Sequence, residues 1–442
     1  MNFHNPEEMK MRSLGLDVGT TSISLAVIDE HNRVIDTSSF AHHALVPSSH
    51  PWEKIQDASK LLSLALNIVE EVCRTQQISN IGITGQQHGI AYLNKEGNVI
   101  SPLFTWQDSR ALELEDEKDY ISTILEKTGY SIHAGYGLAT HYYNVRNGLV
   151  PDNAVSFGTI ADIVAMRLVG MNKPLMESSN AHSCGLFDLA AKDFDLHAIA
   201  KCDIDTAIIP KLCTDKTLGF YHGIPVAVAI GDNQASYIGA TCGSENAILI
   251  NIGTGSQVSL HTENIKNYTN FEVRPYPIGG FLITGASLSG GRTWAMTERF
   301  FHQAVLELTG IDKPVYDGLN QLLDHTKDTG EYPFVITSFD GTRGDPHKRG
   351  SIEDISVNNF TPGQFALGIL HGMANELYEM YSSALTEGLE PKTQLIGSGN
   401  GLRLNPHLQH IVQDTFKIPL KMSTYTEEAA AGAAMFACIA TT

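Results

Sequence analysis

The stretch Leu14-Gly15-Leu16-Asp17-Val18-Gly19-Thr20-Thr21-Ser22 is an apolar run that ends in a small polar turn, and an alternating segment follows it. The same order returns 234 positions later, where residues 247–252 form an apolar run before the turn Gly253-Thr254-Gly255-Ser256. Each copy is typical of a β-hairpin that opens a domain. The repetition predicts two similar α/β domains, which we assign to residues 1–242 and 243–442.

Length and charge agree with a two-domain enzyme. A chain of 442 residues exceeds the size at which one hydrophobic core keeps growing, and 42% of its residues are hydrophobic. The formal net charge is −19, and the sequence has no Lys/Arg-rich run. We therefore expect neither nucleic acid nor a membrane surface as a partner. An anionic ligand would need backbone N–H groups and a bound cation to hold it.

The cysteines and the N-terminal residues indicate where the protein works. Six cysteines are dispersed without a C-x-x-C pair, which argues against a disulfide framework or a zinc cluster. Residues 1–12 carry charges and no apolar core of a signal peptide, and the sequence has no run of 18 apolar residues. We expect a cytoplasmic protein that does not enter membranes.

Coarse periodicity places further elements along the chain. A helix is predicted after Pro51, with apolar residues from Ile55 to Val69 at helical spacing, and a strand is predicted over 78–84. An apolar strand over 224–230 leads to Gly231-Asp232-Asn233 and a helix over 234–240. Residues 427–435 form a small-residue helix that can pack closely against a neighbour.

The two small polar turns are candidate phosphate sites. Glycine lets the backbone approach closely, and consecutive N–H groups and hydroxyls can point at phosphate oxygens. One such turn alone is equally typical of an ordinary hairpin. Two of them, one per domain, favour a grip on a triphosphate from both sides. The candidate contacts are Gly19, Thr20, Thr21, Ser22, Gly253, Thr254 and Gly255. Neither a P-loop nor a Rossmann fingerprint is present.

Two carboxylates and a third glycine cluster complete the nucleotide side. Asp17 ends the first strand, where it can hold Mg²⁺ through water, although it can also be a turn-forming residue. Asp232 follows a buried strand, where a catalytic or metal-binding carboxylate and a helix N-cap are alternatives. Gly397, Gly399 and Asn400 follow an apolar run and can receive adenosine or serve a strand-to-helix turn.

Polar and aromatic residues in the first half suit a polyol. Gln87 and His88 follow a predicted strand, and Trp106 and Asp108 follow another. Amide, imidazole and carboxylate groups match the hydroxyls of a sugar, and an indole face can cover its C–H groups. The alternatives are a core histidine, a core tryptophan and a surface pair of Asp108 with Arg110.

Taken in order, these motifs resemble the FGGY carbohydrate kinases over nearly the whole chain. Residues 17–22 resemble the first phosphate motif of that family, 253–256 the second, 397–400 the adenosine motif and 231–234 the motif of the catalytic base. The resemblance implies two ribonuclease-H-like domains of the actin/Hsp70 type with an interdomain cleft. It also implies ATP, Mg²⁺ held by Asp17 and Asp232 through water, and Asp232 as the base.

Within the family, the branch of sedoheptulokinases is most similar, on residues 105–108, 158–162, 174–181 and 285–291. This implies transfer of the ATP γ-phosphoryl to sedoheptulose, with xylulose or another ketose or polyol as the alternative. Gln87, His88 and Trp106 would then contact the ketose. A homodimer is a candidate assembly.

One departure from the family supports a different class of function. Many relatives carry a cation two residues after the position matching Ser22, and this chain has Ser24 there. A sugar-binding homologue without activity is therefore an alternative. An actin- or Hsp70-like ATPase switch is another, although it needs no polyol-binding residues.

Overall fold

The chain folds into two compact units in a computed structural model that describes residues 11–341, 345 and 347–441. The first unit runs to Gly243 and includes residues 274–280 and the C-terminal segment from Tyr425. The second unit comprises residues 244–273 and 281–424. The sequence assigned residues 425–442 to the second domain, whereas the structure packs the described part of this segment on the first unit.

A seven-stranded sheet forms the centre of the first unit. Its central strand, Arg12–Val18, pairs antiparallel with Ser22–Asp29 and parallel with Asn80–Gly85. The complete order across the sheet is Thr217–Tyr221, Ile224–Ala227, Asn80–Gly85, Arg12–Val18, Ser22–Asp29 and Val34–Ala41, and Ile230–Gly231 also pairs with Asn80–Gly85. The central strands are buried on both faces, which explains their almost continuous apolar sequence.

The second unit repeats this design in a six-stranded sheet. Its strand Ala247–Ile252 pairs antiparallel with Ser256–Thr262 and parallel with Gln394–Ser398. The order is Glu272–Pro275, Phe281–Ser287, Ser256–Thr262, Ala247–Ile252, Gln394–Ser398 and Leu420–Met422. The predicted recurrence of a hairpin with the same neighbours is therefore confirmed.

The small-residue helix Glu428–Thr441 is confirmed, and it lies directly against the first sheet. A Cβ on Gly15 would lie 1.8 Å from the carbonyl oxygen of Ala430, and a Cβ on Gly82 would lie 1.9 Å from that of Ala433. Such distances exclude any side chain at either glycine. This close approach of backbones explains why the helix belongs to the first unit.

Helices surround both sheets, and the shorter strands form further small sheets. The helices are Ala58–Thr75, Tyr120–Thr128, Gly137–Arg146, Ile160–Leu168, Ser178–Ser183, Leu196–Lys201, Asp232–Thr241, Gly291–Thr309, Tyr316–His325, Pro362–Thr386, Asn400–Arg403, Pro406–Phe416 and Glu428–Thr441, with 3₁₀ turns at Arg110–Leu112 and Thr206–Ile208. The short strands are Leu45–Val46, Ile55–Gln56, Ala91–Leu93, Leu103–Phe104, Leu114–Glu115, Lys118–Asp119, Ser156–Gly158, Leu175–Met176, Phe187–Asp188, Asp193–Phe194, Lys211–Leu212, Phe334–Ile336 and Ser351–Glu353. No helix in the described ranges combines the length and apolar character needed to cross a membrane.

The first long helix begins later than its apolar spacing suggested. Ile55 lies in the short strand Ile55–Gln56, and the helix begins at Ala58. The carboxylate of Asp57 accepts a hydrogen bond from the backbone N–H of Lys60 and so caps the helix. The capping residue, which the periodicity did not weigh, sets the boundary.

Candidate functional site

Three parallel strands of the first unit bring the predicted carboxylates to one edge of the sheet. Asp17 lies opposite Thr84 on the neighbouring strand, and Ile230 lies opposite Thr84 from the other side. Asp232 follows two residues after Ile230. Because the carboxyl ends of parallel strands meet at one edge, Asp17 and Asp232 come close enough for each charge to act on the other.

Asp17 has the surroundings of a cation ligand. Burial raises the pKa of its carboxyl from the usual range to about 7, and the nearby carboxylates of Asp232 and Glu427 add to the shift. Its Oδ1 is buried and has no hydrogen-bond partner among the described residues. A carboxylate oxygen left in this way, beside two further carboxylates, fits the oxygen ligands that Mg²⁺ prefers. Glu427 belongs to a segment that the sequence interpreted as structural.

Asp232 is the first residue of the helix Asp232–Thr241, whose N-cap is Gly231. The carboxylate is therefore not the N-cap that the sequence offered as an alternative, although its Oδ1 accepts from the N–H of Asn233 at 2.7 Å. Burial raises the pKa of Asp232, and the positive charge of Arg274 opposes the shift. Arg274 is buried, and no motif in the sequence pointed to it.

Gln87 is joined to the residues around Asp232. Its Oε1 accepts from the amide of Asn233 at 3.2 Å, and its own amide donates to the carbonyl of Ser179 at 3.2 Å. A Cβ on Gly231 would lie 1.9 Å from Nε2 of Gln87, so a larger residue here would displace that side chain. The Gly231-Asp232-Asn233 segment and Gln87 therefore form one packed group, and their roles in binding and catalysis stay predictions.

His88 is held in one orientation by its backbone and by its ring. Its φ is +72°, a left-handed conformation that is uncommon outside glycine, and its ring stacks on Tyr136 with centroids 4.4 Å apart. Nδ1 lies 2.7 Å from the carbonyl oxygen of Ser183. Since a carbonyl can only accept, Nδ1 carries the hydrogen and Nε2 is the accepting nitrogen of the neutral ring. The side chain is only partly buried, unlike that of a core histidine.

The other two sugar candidates differ in how exposed they are. The side chain of Trp106 is 47% exposed, so it is not a core tryptophan. The carboxylate of Asp108 is buried, and its two oxygens accept from Arg110 and from the backbone N–H of Lys54. The alternative interpretation of the sequence was a surface pair of Asp108 with Arg110. In the structure this pair is buried. Because both oxygens are engaged, this geometry favours a structural role for Asp108 over direct contact with sugar.

The first phosphate turn, residues 19–22, is held by side chains from several elements. The amide of Gln56 donates to the carbonyl of Thr20 at 2.7 Å, and the indole N–H of Trp106 donates to the Thr20 hydroxyl at 3.0 Å. Within the turn, the N–H of Gly19 donates to the carbonyl of Ser22 at 3.0 Å. Thr21 and Ser22 complete it, and Ser22 begins the second strand. A preformed turn of this kind suits a small anion.

The second phosphate turn lies at the start of the helix Gly291–Thr309. The N–H of Gly291 donates to the carbonyl of Gly253 at 2.7 Å, and the N–H of Gly253 donates to the carbonyl of Gly255 at 2.9 Å. Thr254 lies between them, and its carbonyl accepts from the N–H of Arg292 at 3.0 Å. Two backbone hydrogen bonds therefore fix the glycine turn to the N-terminus of this helix, and its contact with phosphate stays a prediction.

The third glycine cluster packs against the strand that leads into the second turn. Gly399 has φ +81°, and a Cβ there would lie 2.5 Å from the carbonyl oxygen of Ile252. A Cβ on Gly397 would lie 2.8 Å from the side chain of Leu402. Asn400 begins the short helix Asn400–Arg403. Packing against the backbone therefore requires glycine at position 399, whereas Gly397 meets only side chains, and the contact of both with adenosine stays a prediction.

One group of side chains elsewhere has the composition of a metal site. Within the described residues, Glu245, His261 and Glu263 bring one ligand atom each to within 4.8 Å of one another. Lys392 lies among them, since its ammonium donates to the carbonyl of Glu245 at 2.9 Å and both carboxylates act on its charge. The ammonium already compensates the two carboxylates, so this group does not call for a metal ion.

Comparison with known proteins supports one family for both units. Residues 12–239 match the N-terminal domain of the FGGY family of carbohydrate kinases, and residues 249–441 match its C-terminal domain. The sedoheptulokinases of Mus musculus and Homo sapiens are each 26% identical to this chain. The mouse protein matches over 92% of this chain and 93% of its own length, and the human protein over 96% of each.

A solved structure shows the same fold. The xylulose kinase from Rhodospirillum rubrum superposes with a TM-score of 0.82 at 19% identity, covering 97% of this chain and 89% of that one. At this identity the likeness concerns the fold alone. Together with the two domain matches, it confirms the predicted two-domain α/β architecture. The chain belongs to the FGGY family of carbohydrate kinases.

Proposed function

We propose that this carbohydrate kinase transfers the γ-phosphoryl of ATP to the terminal hydroxyl of sedoheptulose and forms sedoheptulose 7-phosphate. The observation that carries the reaction type is Asp232, a partly buried carboxylate with a raised pKa at the carboxyl edge of the first sheet. The choice of sugar is supported by the two sedoheptulokinases, which match this chain over nearly its whole length.

Asp232 acts as the general base in this proposal. Its carboxylate accepts the proton of the attacking hydroxyl as the new P–O bond forms and the bond to the ADP oxygen breaks. A raised pKa makes it a stronger base than an ordinary aspartate, while Arg274 opposes the shift and so favours the ionised form at neutral pH. The hydrogen bond from Asn233 fixes one oxygen of the carboxylate.

Phosphate and metal are assigned to the turns and to Asp17. In the first unit, the turn of Gly19, Thr20, Thr21 and Ser22 is the proposed phosphate site, and its hydroxyls are the donors. In the second unit, Gly253, Thr254 and Gly255 have that role, and Gly397, Gly399 and Asn400 receive the adenosine. Asp17 and Asp232 hold Mg²⁺ through water. When bound, the ion neutralises charge on the phosphate oxygens.

The sugar site is assigned to Gln87, His88 and Trp106. In the neutral ring of His88 an accepting Nε2 suits a hydroxyl of a ketose, and the exposed indole of Trp106 suits its C–H face. Gln87 is buried with its amide engaged by Ser179 and Asn233, so in this proposal it supports the sugar site through these hydrogen bonds. Asp108 was predicted as a fourth residue in contact with the sugar. In this proposal it has a structural role instead, through its buried ion pair with Arg110.

A panel of acceptors tests the proposal. Purified protein is incubated with ATP, Mg²⁺ and sedoheptulose, xylulose, ribulose or glycerol, and ADP release is followed alongside ³¹P NMR of the product. We expect the highest kcat/KM with sedoheptulose and a phosphate monoester on its terminal carbon. A tenfold preference for xylulose would replace the substrate while keeping the kinase assignment. Sugar that binds without turnover would support the inactive homologue.

A further inference from the structure

The hydrogen bond between Trp106 and Thr20 has a fixed direction. The indole Nε1 lies 3.0 Å from the Thr20 hydroxyl oxygen. An indole nitrogen can only donate, so the Thr20 oxygen must accept in this bond. A hydroxyl carries a single hydrogen, and that hydrogen is then left to donate in another direction. Trp106 therefore determines the polarity that Thr20 presents to a ligand of the first phosphate turn.

The backbone of the turn does not depend on this bond. Gln56 donates to the carbonyl of Thr20 at 2.7 Å, and the amide of Gln86 donates to Oε1 of Gln56 at 2.9 Å. Both glutamines are buried, so these two hydrogen bonds are shielded from water. The path of the chain at Thr20 is fixed from the buried side. What Trp106 controls is the orientation of the hydroxyl.

We propose that Trp106 is a positioning residue for the nucleotide as well as a surface for the sugar. Its N–H holds the Thr20 hydroxyl as a donor toward a phosphate oxygen of ATP. Its exposed ring covers the sugar, so an occupied sugar site pins the indole and strengthens nucleotide binding. The proposal rests on the kinase function proposed above, since it assigns the sugar to the indole face. It couples the two substrates within one unit of the protein.

The competing explanation of the hydrogen bond between Trp106 and Thr20 is that it only anchors the exposed indole ring. In that case Thr20 anchors Trp106, and loss of the N–H changes only sugar binding. The two explanations differ in the ligand whose affinity changes. A phosphate-bearing nucleotide responds only if the bond orients the Thr20 hydroxyl.

Calorimetric titration of a non-hydrolysable ATP analogue without sugar tests the proposal directly. Trp106→Phe keeps an aromatic ring and loses the N–H, and we expect analogue affinity to fall about fivefold, the effect of one hydrogen bond. Adenosine, which has no phosphate, should bind the variant and the parent equally. Trp52→Phe is the matched control, since Trp52 stacks on His50 and contacts Arg110 away from Thr20. It should leave both affinities unchanged.

A double-mutant cycle isolates the pair. Thr20→Val removes the acceptor, and in that background Trp106→Phe should cause no further loss of analogue affinity. Equal losses in both backgrounds would overturn the proposal, as would a loss that extends to adenosine. Thr20→Val also serves alone if Trp106→Phe melts at a lower temperature than the parent. It should abolish any gain in analogue affinity that sugar produces.

Sugar dependence completes the test and separates the two proposals. In the parent, saturating ketose should tighten analogue binding at least about fivefold, the lower range of coupling between sites, and in Trp106→Phe the factor should approach one. An undiminished factor in the variant would refute the coupling. If no acceptor is phosphorylated, the proposed function fails, yet the sugar-free cycle still decides whether Trp106 positions Thr20.

Discussion

Replacing Asp232 by Asn separates the role of its charge from that of its shape. The amide keeps an oxygen at the position that accepts from the N–H of Asn233 at 2.7 Å. Gly231, not Asp232, is the N-cap of the helix, so the substitution removes no capping side chain. What disappears is the ability to accept a proton from the sugar hydroxyl. Loss of a general base costs about 10² to 10⁴ in rate, so we expect kcat to fall at least 10²-fold.

The same substitution has a second electrostatic consequence. The carboxylate of Asp232 helps to raise the pKa of Asp17, so its removal lowers that pKa and makes Asp17 easier to ionise. The site as a whole has lost one carboxylate and attracts a cation less strongly. If Asp232 contributed only to metal binding, added magnesium would restore turnover. A missing base is not restored by any magnesium concentration.

Single-turnover phosphoryl transfer, with calorimetry of analogue and sugar, measures both effects. Binding of each ligand should stay within about threefold of the parent while transfer collapses. Asp317→Asn is the control, because Asp317 is an acidic residue in the first turn of the helix Tyr316–His325. Transfer within threefold of the parent in the Asp232 variant would refute its role as the base.

Three further predictions concern stability. Because burial and nearby carboxylates raise the folded pKa of Asp17 to about 7, metal-free protein should lose thermal stability as pH rises from about 4 to 7, and Asp17→Asn should reduce that loss in a pH series of melting curves, leaving the share of the buried Asp162, whose pKa is also raised to about 7. Ser24 is buried and its hydroxyl lies 2.9 Å from that of Ser39, so Ser24→Lys should lower the melting temperature; an unchanged melting temperature would contradict this. A Cβ on Gly239 would lie 2.0 Å from the carbonyl of Glu428, so Gly239→Ala should cost about 2 kcal/mol or more in urea unfolding. Gly318→Ala, in open space on another helix, should gain up to about 1 kcal/mol.

The repeated hairpins were predictable because their signal is local. An apolar run, a glycine-containing turn and an alternating run specify strand, turn and strand without reference to the rest of the chain. The register that places Asp17 opposite Ser24 follows from the short turn between them. In the first unit, the first strand of the hairpin also pairs with a parallel strand. The strand predicted over 78–84 is that partner.

The contacts that depend on distant segments were not predictable in the same way. The charge of Arg274, which acts on Asp232, comes from a segment that follows the second hairpin. No spacing of residues in the sequence predicts this contact. Glu427 likewise comes from a distant segment, directly before the last helix. Residues 158–162, which resemble the sedoheptulokinases, form a capping box in which Thr159 and Asp162 bond each other. That part of the resemblance therefore reflects a helix start.

The position of the helix Glu428–Thr441 has a consequence for synthesis of the protein on the ribosome. Its backbone lies directly on Gly15, Gly82 and Gly239 of the first unit. A nascent chain has made those three glycines long before it makes the helix that covers them. The face of the first unit that contains these glycines therefore stays uncovered until the ribosome has translated the second unit. Packing of this face is therefore completed only after the last helix has left the ribosome.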